Sequence, residues 1–149
     1  METTFLFKAN IKVSNPIEVG DVGIGIRRII PIIGGTVEGE SINGSILLGG
    51  ADYQIIRYDG VTEALAQYVI ETNDGVPIYV VNKGYRHGPK EIIDKIISGE
   101  QVPDGSYYFK TTPTFETSSD RYAFLNKMII IGEGIRRPND VEISFFQVN

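Results

Sequence analysis

Within a short run the chain places a carboxylate, an amide and a guanidinium. Asp52, Gln54 and Arg57 follow the double glycine Gly49-Gly50 and precede the Asp59-Gly60 turn. In an extended strand alternate side chains fall on opposite faces, so Asp52, Gln54 and Ile56 share one face and Tyr53, Ile55 and Arg57 the other. Turned into the mouth of a barrel, Asp52 is placed to act as a general base or to hold a ligand's donor. Turned towards the glycines, it satisfies backbone N–H groups of the turn. Both readings fit, and Arg57 reads as a surface or cross-strand ion-pair residue.

A second group lies in Asn82-Lys83-Gly84-Tyr85-Arg86-His87-Gly88-Pro89, read as a glycine-rich connection into a helix. Arg86 suits ligand binding, because a guanidinium holds a carboxylate or phosphate in two parallel bonds. His87 is the only histidine, and neither His-x-x-x-His nor Glu-x-x-His spacing occurs, so no metal site is expected. A third group, Tyr107 to Thr117, mixes aromatics, hydroxyls and one acid. Aromatics with a few placed polar groups describe a small-molecule site, but they also describe a β core, and the core is the favoured reading. Burial of Glu116 or Glu71 would raise its pKa, as a catalytic acid requires.

Other signatures point away from familiar chemistries. Gly20-Asp21-Val22-Gly23-Ile24-Gly25 matches neither a dinucleotide nor a phosphate loop, and no G-x-S-x-G elbow is present. Cysteine is absent, which removes disulfides and thiol nucleophiles and fits a reducing compartment. The net charge of −5, with basic pairs only at Arg27-Arg28 and Arg136-Arg137, argues against nucleic acid. The N-terminus lacks the basic start and apolar core of a signal peptide, and no apolar run reaches the ~20 residues of a membrane helix. A cytoplasmic protein with no membrane partner is the expectation.

The elements that must position these residues are mostly strands. Residues 4–13 alternate, with Phe5, Phe7, Ala9, Ile11 and Val13 on one parity. Further strands are expected at Val22–Ile30, Thr36–Glu38, Ser45–Leu48, Ala51–Tyr58, Leu65–Thr72 and Val76–Asn82, with Pro31–Gly35 as a corner. Others follow at Ser106 to Thr112, extending towards Glu116, and at Met128–Ile131 and Val141–Val148. Asn73-Asp74-Gly75 is a strong hairpin signal. One helix is expected at Pro89–Ser98, where Ile92, Ile93, Ile96 and Ile97 form an apolar stripe; Asp120 is placed to cap a single helical turn through Leu125. With 149 residues this makes one domain, residues 1–149. The fold class is all-β, a closed or nearly closed antiparallel barrel of about 8–10 strands, because closure removes exposed edges; a two-sheet sandwich is the alternative. Gly-Ile-Arg-Arg occurs at 25–28 and 134–137 and reads as chance recurrence rather than duplication.

Several segments together resemble the domain of unknown function 3237, also called uncharacterised protein family 0311. They are Arg28 to Gly39, Gly49 to Gln54, Thr72 to Gly75 with Ile78, Asn82 and Gly84, Tyr108 to Thr111 through Phe115 to Thr117, and Tyr122 to Asn126 with Gly132. The resemblance implies a compact antiparallel barrel without an obligatory cofactor, and it implies no settled activity. Tyr53 and Phe124 stand where the family usually has tryptophan. Lys110 stands where it has arginine, which gives up bidentate geometry.

The functional expectation is a barrel that binds a small organic molecule in its lumen or mouth. Arg28, Gln54, Asn82 and Arg86 would supply polar contacts, Tyr68 and Tyr108 aromatic walls, and Lys110 a cation, with Asp52 and Glu116 as candidate proton carriers. The helix would lie across an opening. No metal or cofactor is expected. The first alternative is an enzyme of isomerase, cyclase or lyase type, with Asp52 or Glu116 moving a proton while Arg86 or Lys110 stabilises an enolate-like charge. The second is a structural homo-oligomer, a homodimer for example, with a packed barrel core.

Overall fold

The period-two stretch at the N-terminus forms β1 (Thr3–Val13), with Phe7, Ala9, Ile11 and Val13 buried on one face. In the computed structural model, which describes residues 1–149, this strand closes a ring. It pairs antiparallel with β10 (Asp140–Val148) on one side and with β3 (Ile26–Gly39) on the other. From β10 the ring continues through β9 (Ile130–Arg136), β8 (Tyr108–Glu116), β7 (Pro77–His87), β6 (Thr62–Thr72) and β5 (Gly50–Ile56) back to β3. Two shorter strands, β2 (Ile17–Asp21) and β4 (Gly44–Ile46), extend an eight-stranded closed barrel. No helix is long and apolar enough to cross a membrane.

Several boundaries differ from the sequence expectation. The strand expected over Val22–Ile30 begins at Ile26, because Gly23 and Gly25 take positive φ and turn the chain between β2 and β3. The expected corner at Pro31–Gly35 lies inside one long strand. Gly34 and Gly35, at φ 151° and 142°, bend β3 so that its first half pairs with β5 and its second half with β1. A side chain at Gly35 would collide with the Asn10 carbonyl across that seam. The glycine-rich connection is also strand: β7 runs to His87, and Gly84 faces inward where a Cβ would meet the Thr111 side chain and the Lys110 carbonyl. Arg86 therefore stands on a rigid strand.

The interior is divided lengthwise. At one end Phe7, Phe115 and Phe145 pack with ring centroids 4.8–5.8 Å apart, Phe115 meeting each of the others edge to face. A 3-10 helix (Asp120–Asn126) plugs this end with Tyr122 and Leu125. The Tyr122 hydroxyl donates to Asp74 of the β6–β7 hairpin at 2.9 Å. The other end carries polar side chains, and α1 (Lys90–Ile97) and the loop to Tyr107 are bonded to its rim through Arg28 and Arg136. Ile93, Ile96 and Val102 form a small apolar cluster of their own, separate from the barrel core.

Candidate functional site

Strand parity fixes what reaches the lumen. On β5, Asp52 and Gln54 point inward, opposite Ile30 and Arg28 of β3. On β6 the inward set includes Thr62, Ala64, Ala66 and Tyr68; on β7, Asn82 and Arg86; on β8, Phe109 and Thr111; on β9, Arg136. Asp52, Asn82, Arg86, Thr111 and Arg136 line one cavity with Ile11, Val13, Ile30, Ile32, Ala64, Ala66, Phe109, Val141 and Ile143. Its volume is about 40 Å³, room for a few water molecules and well below the ~300 Å³ expected of a preformed ligand pocket.

Asp52 is held in place by two donors. Gln54 Nε2 donates to Oδ2 at 2.7 Å and the Leu65 backbone N–H to Oδ1 at 2.9 Å. Burial nevertheless raises its pKa above the ordinary carboxylate value, against those two bonds and the positive fields of Arg86 and Arg136. Arg86 is the reciprocal case. Its side chain is 1% exposed, and its guanidinium carbon sits 5.3 Å from the centre of the Phe109 ring. No carboxylate lies within ion-pair distance, and Nε has no hydrogen-bond partner in the chain. Burial lowers its pKa to about 10, with Asp52 only partly offsetting that effect. Arg136 is lowered too, chiefly by burial; its Nη1 donates to the backbone carbonyls of Arg137 and, at 3.3 Å, Asp140.

Further polar atoms in this half are equally unpartnered: Gln54 Oε1, Thr62 Oγ1, Asn82 Oδ1 and Thr111 Oγ1. Each is an atom that burial penalises unless something bonds to it. Arg28, 5% exposed, is satisfied instead: its Nε donates to Glu18 at 2.8 Å and its Nη2 to the Ile97 carbonyl at 3.2 Å. It thereby ties β2 and the end of α1 to the rim. Tyr107 completes the rim, its hydroxyl accepting from the Arg136 N–H at 2.7 Å.

Among the candidate residues, Arg28, Asp52, Gln54, Asn82 and Arg86 gather at this end. Tyr68 also points inward but packs in the apolar core, where burial raises its pKa and its hydroxyl has no partner. Glu116, Tyr108 and Lys110 do not belong to the lumen. They have the opposite parity to Phe109, Thr111 and Phe115 on β8 and so project from the outer wall. There Lys110 pairs with Glu133 at 2.6 Å, Tyr108 stacks on His87 with centroids 4.8 Å apart, and Glu116 is exposed. No group of three or more His, Asp or Glu side chains converges to hold a metal. Sequence reasoning missed Arg136, Thr111 and Thr62. The signal for Arg136 was the second Gly-Ile-Arg-Arg, at the end of a strand whose Ile130, Gly132 and Gly134 face inward.

The family model described as a protein of unknown function, DUF3237, matches residues 1–148. A UPF0311 protein of Rhodopseudomonas palustris is 42% identical over 148 residues, covering 99% of this chain and 97% of that protein. A crystal structure of a beta-barrel like protein from Acinetobacter baumannii superposes with a TM-score of 0.86 at 38% identity, covering 100% of this chain and 98% of that one. More distantly, a hydroalkoxylation enzyme of Penicillium herquei is 26% identical over 143 residues, 96% of this chain and 78% of that protein.

Proposed function

The chain belongs to the DUF3237 family, and within that family's barrel we propose that it binds a small organic molecule at the polar end of the lumen. One observation carries this. Arg86, Asn82 and Thr111 bury polar atoms that nothing in the chain satisfies, and all three converge with Asp52 on one cavity. A fold selected only for stability would fill that space with apolar side chains, since unpaired buried polar groups each cost about 1–3 kcal/mol. The cavity of about 40 Å³ must widen to admit a ligand. Opening of α1 and its following loop would need only a few contacts broken, the Arg28–Ile97 and Tyr107–Arg136 bonds and the packing of Tyr107, because its buried apolar cluster is its own. Native mass spectrometry of freshly purified protein tests the proposal. A co-purified small molecule that is absent from the Arg86→Met and Asn82→Leu variants supports it. Retention of the same molecule by both variants would place binding elsewhere.

A second reading makes the same site an enzyme of cyclase or lyase type, with Asp52 as the proton carrier. Its support is the raised pKa of Asp52 and the hydroalkoxylation activity of the Penicillium relative. In a hydroalkoxylation an O–H group adds across a C=C bond: oxygen bonds to one carbon and a proton reaches the other. Protonated Asp52 would deliver that proton and recover one from the hydroxyl, ending unchanged. Asp52→Asn would then abolish turnover while the ligand still binds. Full turnover by that variant would remove Asp52 from the chemistry.

A further inference from the structure

We infer that the lumen ligand is a monoanion carrying its negative oxygen on an apolar, ring-sized carbon frame, with that oxygen received by Arg86 and Arg136. This rests on the lumen-binding proposal and specifies the ligand class. Charge gives the sign. Arg28 is matched by Glu18 at 2.8 Å, which leaves Arg86 and Arg136 facing the cavity with Asp52 as the only lining carboxylate. Both Asp52 oxygens already accept, from Gln54 and from Leu65, and neither lies within 4.0 Å of a guanidinium nitrogen in an ion pair. The donors of Arg86 are therefore unmatched by the chain, and an anionic oxygen is what a planar fork of N–H groups complements.

Charge also sets the number. Both oxygens of Asp52 accept N–H bonds and neither donates, the pattern of a carboxylate, so in the resting site the lining carries one excess positive charge, which a single anionic group neutralises. A phosphate monoester would bring more negative charge against the Asp52 carboxylate, into a cavity whose lining is mostly apolar. The walls give the frame. Phe109 lies under the Arg86 guanidinium, and on β6, two strands from Phe109, Ala64 and Ala66 are short. Space that opens beside the guanidinium is therefore bounded by an aromatic face and small apolar side chains, which a flat ring matches better than a branched polar chain. The Asn82 amide and the Thr111 hydroxyl remain for a second polar substituent, such as a hydroxyl beside the anionic group.

The test is titration of the full chain with four probes, followed by NMR of the Phe109 ring and the Arg86 side chain. The probes are 2-hydroxybenzoate, its neutral isostere 2-hydroxybenzamide, 4-nitrophenol above its ionisation, and inorganic phosphate. The expected result is that one of the two ring monoanions binds at least about tenfold more tightly than the amide, the size of one charge-assisted hydrogen bond. That advantage should vanish in Arg86→Met and shrink in Arg136→Met, which serves as the control if the first variant folds poorly. Whichever of carboxylate and phenolate binds more tightly identifies the source of the oxygen. Equal binding of the amide overturns the charge inference and leaves lumen binding standing. Tighter binding of phosphate overturns the ligand class. Failure of every probe to move the lumen resonances overturns both.

Discussion

Replacing Arg86 by methionine should make the protein more stable. A base whose pKa is lowered by folding is a charged group that the native state holds less favourably than the unfolded chain does. For Arg86 burial lowers the pKa to about 10, and at about 1.36 kcal/mol per tenfold change in proton affinity a fall of that size makes the buried charge cost on the order of 3 kcal/mol at neutral pH. The Arg86 side chain makes no hydrogen bond or ion pair that methionine would forfeit, and methionine keeps an apolar stem against Phe109. The losses to set against this gain are the cation–π contact with Phe109, worth about 1–2 kcal/mol when desolvated, and the field of Arg86 on Asp52, which favours ionised Asp52. The net expectation is a stabilisation of about 1–2 kcal/mol, or a rise in Tm of roughly 3–6 °C for a chain of this size. Urea unfolding of wild type, Arg86→Met and Arg86→Lys at neutral pH measures it, with the lysine variant expected to keep most of the cost. Destabilisation of the methionine variant by about 2 kcal/mol or more would show that the guanidinium is a structural counter-charge and would refute the reasoning. Stabilisation by removing a buried group is what a site held for binding rather than for folding should display.

Asp52→Asn should follow the same pattern with a pH signature. Burial raises this carboxyl's pKa above its ordinary 3.8, so the native state binds the proton more tightly than the unfolded chain. Stability due to this group is therefore greatest below 3.8, falls as pH rises through the raised value, and is constant above it. The asparagine variant should lack that descent in urea melts taken across the range, and an unchanged descent would assign it to another group. Glu116→Gln and Lys110→Met, on the outer wall, should alter stability by no more than about 0.5 kcal/mol and leave lumen binding untouched; loss of binding in either would put the site outside the barrel. Arg28→Met removes the bond to the Ile97 carbonyl, and amide exchange in α1 should become about tenfold faster. Unchanged protection would mean that Ile93 and Ile96 alone hold the helix down. Phe7→Ala, in the aromatic trio at the packed end, should cost roughly 3–5 kcal/mol, and a cost below about 1 kcal/mol in a denaturant titration would contradict a close-packed end.

The sequence by itself determined the architecture and the pairing of residues by face. Alternation over β1 required a half-buried strand, and Asn73-Asp74-Gly75 required a hairpin, realised with Gly75 at φ 82°. The same period of two put Asp52 and Gln54 together before any neighbour was known. Even the outward direction of Lys110 and Glu116 was written beside Phe109 and Phe115, in the contrast between the two parities of β8. Tertiary structure alone decided the rest. The Gly-Ile-Arg-Arg segments turn different arginines inward, Arg28 from one and Arg136 from the other, because each strand's phase is fixed by the ladder with its neighbours. Whether Gly84 breaks a strand or lies within one depended on Thr111 of β8 packing into the space it leaves. The unmatched charge of Arg86 depended on distances across the lumen between strands far apart in the chain. Local patterns encode which side chains share a face; only closure of the ring encodes what each face meets.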